Sequence, residues 1–286
     1  MSIWEDTSLI DFSMDPEWRT VWERGGAYVF PASPAGVGLD LTVGETHLGM
    51  HTSAGLAYSP EVHFCLGTVD GVMVFCSLGE GPVAPLRECL PLLSNTEVEL
   101  ALRAVALASY HMSHRYCSQC GVQTKPDRWG RMRICDSCGT EHFPRIDPAI
   151  IVAVTDDRDR LLLGHHTGWD EDRYSVFAGF VEAGESLEQA VHRELSEEVH
   201  IGVHNIHYAG SQPWPMPRSL MIGFTAQAVS QQAMSPDGEE ITKASWFTRD
   251  EVRAGVSNSQ IVLPTPVSIA YRLIMAWLNQ DSACDE

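Results

Sequence analysis

The chain has 286 residues, a formal net charge of −19 and 44% hydrophobic residues. That apolar content can build real cores at a length suggesting about two domains, and no apolar run approaches the ~20 residues of a membrane span. So negative a chain is a poor nonspecific binder of nucleic acid, where affinity comes from neutralising phosphates, although recognition of a single nucleotide end stays open.

Up to about residue 112 the pattern is strands followed by a helix, an α+β scaffold domain. Val62–Thr68 and Val72–Ser77 are the clearest strands, with Asp70-Gly71 as a hairpin turn between them. A helix capped near Asn95 or Thr96 runs through Val98, Leu102, Val105 and Leu107 toward Tyr110. Nothing here carries a recognisable chemistry.

Residues 113–145 form a second region, set by Cys117-x-x-Cys120, fourteen residues, then Cys135-x-x-Cys138, each pair followed by glycine. Two such knuckles supply four thiolates to a tetrahedral zinc ion, and with four protein ligands the zinc is structural. Two disulfides are the weaker alternative. The sequence starts without a signal-peptide pattern, and Cys65, Cys76, Cys89 and Cys284 are scattered like buried or free thiols. A reduced, cytoplasmic protein is expected. From His111 to Ile146 six basic residues face three acidic ones, which reads equally as an ordinary ribbon surface or as an attraction for an anionic substrate.

Residues 146–286 read as an α/β domain. Strands are expected at Ala149–Val154, Arg160–Gly164, Tyr174–Phe180, Met221–Val229 and Ala244–Phe247, with a last helix over about Thr265–Leu278. Between them, Ser186 and Gln189 form a capping box, and Leu187, Ala190, Val191 and Leu195 recur at helical spacing. Glu194, Glu197 and Glu198 then fall on one side of this helix, where like charges repel unless something neutralises them. A hard divalent cation such as magnesium would do so, and it favours carboxylate oxygens and substrate phosphates. His165, His166, His192 and His204 show no ligand spacing.

The run Gly179, five residues, Glu185, seven residues, Arg193-Glu194-Leu195-x-Glu197-Glu198 resembles the signature of the Nudix hydrolases. One position departs: His200 stands where the family has glycine, which suits a left-handed helix end, although His visits that region more readily than most residues. Three further motifs, Ser113-His-Arg-Tyr-Cys117, His142-Phe-Pro-Arg-Ile-Asp-Pro148 and Ser211-Gln-Pro-Trp-Pro-Met-Pro-Arg-Ser219, resemble the NADH pyrophosphatase branch, over residues 113 to about 275.

The resemblance implies an α/β/α sandwich with a mixed sheet, behind a zinc ribbon and an α+β amino-terminal domain. It implies Mg2+ or Mn2+ held by Glu194, Glu198, often Glu197, the Ala178 carbonyl, and Glu240 or its neighbour Glu239. Phe143 and Phe180 would sandwich a base of the dinucleotide. Gln212, Pro213, Trp214, Pro215, Met216, Pro217, Arg218 and Ser219, with the backbone near Ala270, would line the substrate site. Glu198, or Glu197 beside it, would deprotonate the attacking water, while Arg193 and Glu185 pair to hold the turn. The implied reaction is cleavage of NAD(H) to nicotinamide mononucleotide and AMP, and of NAD-capped RNA to a 5′-monophosphate, by a homodimer. ADP-ribose or another dinucleotide, or a noncatalytic zinc-ribbon binding protein, are the alternatives.

Overall fold

The computed structural model describes residues 10, 11, 13, 17–42, 45–79, 81–230 and 233–280, so Cys284 lies outside the described residues. The chain separates into two compact units. Of the described residues, one unit takes those up to Ile146 together with Trp214–Arg218; the other takes Asp147–Pro213 and those from Ser219 onward. The ribbon and the amino-terminal region lie in the same compact unit.

In that unit a short helix α1 (Trp18–Glu23) precedes β1 (Tyr28–Ala32), β2 (His63–Val69) and β3 (Val72–Leu78). The order is β2–β3–β1, antiparallel then parallel, with short strands extending the sheet. Asp70 and Gly71 both take positive φ, 48° and 78°, as the tight turn of a hairpin requires. Trp18, Trp22, Val29, Cys65 and Phe75 pack as one core. Helix α2 (Asn95–Ser113) buries Leu100, Ala101, Ala104, Val105 and Ala108. Its cap is Ser94, one residue before the expected position. Ser94 Oγ accepts the Glu97 N–H while the Glu97 carboxylate accepts the Ser94 N–H.

The ribbon strands β4 (Lys125–Asp127), β5 (Met132–Ile134) and β6 (Glu141–His142) form an antiparallel sheet around β5. Its seam with α2 is polar. His111 stacks on Phe64 at 3.8 Å, its Nε2–H donates to the Gly130 carbonyl, and its Nδ1 accepts from Arg133. Burial, first of all, pushes the His111 pKa down to about 4, so the ring is neutral as this bonding needs. Tyr110 donates to the His142 carbonyl.

The second unit has strands β7 (Asp147–Thr155), β8 (Leu161–His166), β9 (Phe177–Phe180), β10 (Val203–Trp214), β11 (Ser219–Ala228) and β12 (Ile241–Phe247). The order β10–β11–β7–β8–β12, with β9 also on β7, is mixed: β7 runs parallel to β11 and antiparallel to β9. Helix α3 (Leu187–Val199) covers one face; α5 (Ile269–Leu278) covers the other, with α4 (Arg249–Ser257) beside it. Ile150, Val152 and Val154 point into the core with Ala190, Val191, Leu195 and Val199 of α3; Ile151 and Ala153 join Ile269, Leu273, Ile274 and Trp277. A strand buried on both faces reads as a continuous apolar run for this reason. This is the expected α/β/α sandwich. Helix α5 starts later than Thr265, because Ser268 supplies its cap through the Tyr271 N–H. Among the described residues no helix is long and apolar enough to cross a membrane.

Candidate active site

The four ribbon cysteines are brought together. Their sulfurs all lie within 4.8 Å of one another, with Cys117–Cys138 at 3.6 Å and Cys120–Cys135 at 3.5 Å. A tetrahedral zinc with bonds of ~2.3 Å needs sulfurs roughly 3.8 Å apart. The two knuckles match: Gly121 N–H returns to the Cys117 carbonyl and Gly139 N–H to the Cys135 carbonyl, each glycine at positive φ near the turn's end. Zinc is therefore a structural cofactor of this fold. Elsewhere Cys65, Cys76 and Cys89 are buried and unpaired with sulfur. The basic residues around the ribbon differ in their surroundings. Arg133 is buried on Thr124 and His111, Lys125 pairs with Asp136, and Arg128 pairs with Glu141.

The box begins at β9, where Ala178 and Gly179 pair with Ile151 and Ile150. Its helix starts as expected, Ser186 and Gln189 closing a reciprocal cap. Across the turn lies Arg193. Its Nε and one terminal nitrogen donate to both oxygens of Glu185 (2.8 and 2.9 Å), that terminal nitrogen also to the Phe180 carbonyl (2.8 Å), and the other to Glu194 (2.9 Å) and Glu197 (3.1 Å). The Arg193–Glu185 pair is present as expected, and the guanidinium also grips two members of the carboxylate cluster. A bidentate guanidinium–carboxylate pair is directional, so the turn is fixed in angle as well as distance.

The three helix glutamates differ. Glu197 keeps its side chain 61% exposed on Arg193, while Glu194 and Glu198 are buried. A side chain on Gly179 would overlap the Glu194 carboxylate, so the missing Cβ makes the room in which that group lies. Burial raises the Glu194 pKa despite Arg193, with Glu197 and Glu240 adding to the rise. Burial, then the charges of Glu194, Glu240, Asp237 and Glu197, push Glu198 up to about 8. Glu198 Oε2 is buried without a hydrogen-bond partner. A buried, repelled carboxylate with an orphan oxygen is a donor set suited to a hard divalent cation. The glutamate oxygens are not drawn as close as the cysteine sulfurs, since among the described residues only the latter form a set within 4.8 Å.

Glu240, exposed just before β12, bears on both Glu194 and Glu198. Its loop is shaped by Asp237. The Asp237 carboxylate accepts the N–H groups of Glu239, Glu240 and Ile241 at 3.2, 3.2 and 2.9 Å. An Asp in a Pro-Asp-Gly-Glu run is a turn signal and nothing more. His200 takes the left-handed conformation (φ 58°, ψ 36°) in which the family's glycine is at home, and both its N–H and that of Ile201 return to the Leu195 carbonyl. The helix end is intact.

The Ser211–Ser219 stretch is not a free loop. Residues through Trp214 continue β10, and only Pro215–Arg218 turn the chain into β11 at Ser219. Gln212 is buried: its Nε2 donates to the Val267 carbonyl and its Oε1 accepts the Ile269 N–H, both at 2.7 Å. Pro213 and Pro217 are exposed, Pro215 is buried, and Met216 is half-buried. Trp214 through Arg218 belong to the amino-terminal unit, where the Arg87 guanidinium stands 5.9 Å from the Trp214 ring centroid. Ala270, in the first turn of α5, packs in the core. Phe143 and Phe180 are each more than half exposed.

The NUDIX domain profile matches residues 145–265, and that of the NADH pyrophosphatase zinc ribbon domain matches residues 113–143. The NAD-capped RNA hydrolase NudC of Chromobacterium violaceum is 39% identical over 246 residues, covering 85% of this chain and 83% of the relative. The protein of the same name from Mycobacterium bovis is 43% identical over 208 residues, 70% of this chain and 65% of its own length. That from Escherichia coli is 42% identical over 176 residues, 62% of this chain and 65% of its own.

Proposed function

Because the chain belongs to the Nudix hydrolases, in the branch that carries the NADH pyrophosphatase zinc ribbon, we propose that it hydrolyses the pyrophosphate bond of NAD(H) and of NAD-capped RNA. The products are nicotinamide mononucleotide with AMP, or with RNA ending in a 5′-monophosphate. The observation that supports this most is the buried Glu198 carboxylate, pushed up to about 8 and carrying an unpartnered oxygen beside Glu194. Glu194, Glu198, Glu240, the Ala178 carbonyl and the outer Glu197 are the groups to hold Mg2+ or Mn2+. When bound, such a cation neutralises phosphate charge and lowers the pKa of water.

The chain's own groups do the rest. Glu198, rather than Glu197, takes the proton of the attacking water, because Glu197 is engaged by Arg193 and Glu198 is not. The water oxygen bonds to phosphorus, the bridging P–O bond breaks, and the leaving phosphate carries the bond's electrons away. Arg193 holds Glu185, Glu194 and Glu197 in register during this step. The exposed face of Phe180 offers a stacking surface for a base. The protein acts as a homodimer in the cytoplasm, where the buried thiols Cys65, Cys76 and Cys89 stay reduced.

The test is incubation of the purified protein with NADH and Mg2+ or Mn2+, with chromatographic detection of reduced nicotinamide mononucleotide and AMP. Wild type should form both products and Glu198→Gln neither. A folded, zinc-loaded wild type that forms none with either metal overturns the reading.

A further inference from the structure

The last carbonyls of a helix have no donors within it. At the end of α3 the segment after β11 supplies them. Ser235 N–H donates to the Val199 carbonyl at 3.1 Å and Asp237 N–H to the Glu198 carbonyl at 2.9 Å. The same segment is held a third time: His200 Nδ1 lies 2.8 Å from the Ser235 carbonyl oxygen. A carbonyl can only accept, so Nδ1 carries the proton. Met234 packs against the core beneath. Five residues after Ser235 comes Glu240, whose N–H is held by Asp237 and whose carbonyl accepts from Thr167 N–H at 2.8 Å.

We infer that His200 is a positioning residue for the divalent-cation site: by gripping the Ser235 carbonyl it ties the loop that carries Glu240 to the helix that carries Glu194 and Glu198. Glycine at this place makes the left-handed turn more readily than His but leaves Ser235 without the side-chain donor. The box residue that departs from the family therefore strengthens the site. Backbone turn and side-chain bond are separable, because each can be kept without the other. The inference rests on the reading of Glu194, Glu198 and Glu240 as the cation's ligands.

The experiment compares wild type with His200→Gly and His200→Asn, all as full-length zinc-loaded protein. Gly keeps the turn and loses the donor. Asn tolerates the left-handed region and bears a nitrogen on Cγ, as His bears Nδ1. Two readouts need no substrate: Mn2+ affinity by calorimetry, and amide exchange over residues 233–240. His200→Gly should fold as wild type, bind Mn2+ about fivefold more weakly and exchange faster in that loop, the size expected for loss of one hydrogen bond. With Mn2+ saturating, its kcat should stay within about twofold of wild type, so the defect is confined to cation binding. His200→Asn should restore affinity and protection. Wild-type affinity and exchange in His200→Gly, or a His200→Asn as impaired as His200→Gly, overturns the inference. A wild type that binds Mn2+ but cleaves no NADH sinks the proposed reaction and leaves this inference standing; one that binds no Mn2+ overturns both.

Discussion

The Glu194 carboxylate occupies the space where a side chain on Gly179 would stand. Gly179 does not sit at positive φ, so its requirement is for room and not for backbone freedom. Sheet and helix meet here with no atom between the strand backbone and a buried acid.

Gly179→Ala should therefore fold, with a melting temperature close to wild type, and displace the carboxylate. A shift of about 1 Å at a reacting group can cost on the order of a hundredfold in rate, and a loss of that size in kcat on NADH is expected. Activity within about twofold of wild type would show that Glu194 can move without consequence.

Stability should depend on pH through Glu198. Its carboxyl, ordinarily near 4.5, is pushed up to about 8, first by burial and then by the charges of Glu194, Glu240, Asp237 and Glu197. The folded chain thus keeps a proton that the unfolded chain releases. The stabilising contribution is whole below about 4.5 and is lost as pH rises through about 8. Without added divalent cation, the melting temperature should fall between about pH 5 and about pH 8.5, and less steeply in Glu198→Gln. Added Mn2+ should raise the wild-type melting temperature most at the alkaline end, where the cation competes with fewest protons. Parallel pH curves for the two proteins would count against a titrating Glu198.

Zinc should be inseparable from the ribbon fold. Cys117→Ser removes one of four converging sulfurs, and Cys117 is buried. Metal analysis should find about one zinc per chain in wild type and nearly none in the variant, together with a lower melting temperature. Zinc-loaded wild type should still require added Mg2+ or Mn2+ for activity. Full stability without zinc would mean that the cysteines hold the knuckles unaided.

Gln212 should prove to be a structural residue. Its carboxamide bridges the Val267 carbonyl and the buried Ile269 N–H at the start of α5. Gln212→Ala leaves both backbone groups unpaired and should cost about 2–4 kcal/mol in denaturant unfolding. The KM for NADH should change little at temperatures where the variant is folded. A raised KM with unchanged stability would put the side chain on the substrate instead.

The parts of the fold that were legible are those where chemistry or capping fixes residue type. Ser186 with Gln189, Asp70-Gly71 and the cysteine pairs each demand particular side chains at set offsets, and each lies where expected. Other elements left weaker marks. The strand through Ser211–Trp214 was hidden by Pro213, which is tolerated because β10 is an edge strand and can spare a donor. Helix α4 is short and poor in apolar residues, and its Thr248–Glu251 cap is the clearer signal. At the site, spacing placed Glu194 and Glu198 together, whereas Asp237 beside a glycine marks only a turn, and its N–H bond to the Glu198 carbonyl joins segments far apart in the sequence. The letters of the ribbon's basic residues do not say which of them are paired; in the fold, Arg133, Lys125 and Arg128 have partners.

The alternation along β7 bears on which mutations this lineage can accept. Ile150 and Ile151 face opposite cores, and the same two residues set the pairing of Gly179 and Ala178. Substituting one aliphatic residue for another there changes a contact, and neighbours can adjust. Inserting or deleting a single residue between Asp147 and Val152 inverts the strand, exchanging the inhabitants of both cores and shifting β9 beneath the carboxylate. Over this stretch, descendants of the chain can change their letters but not their count.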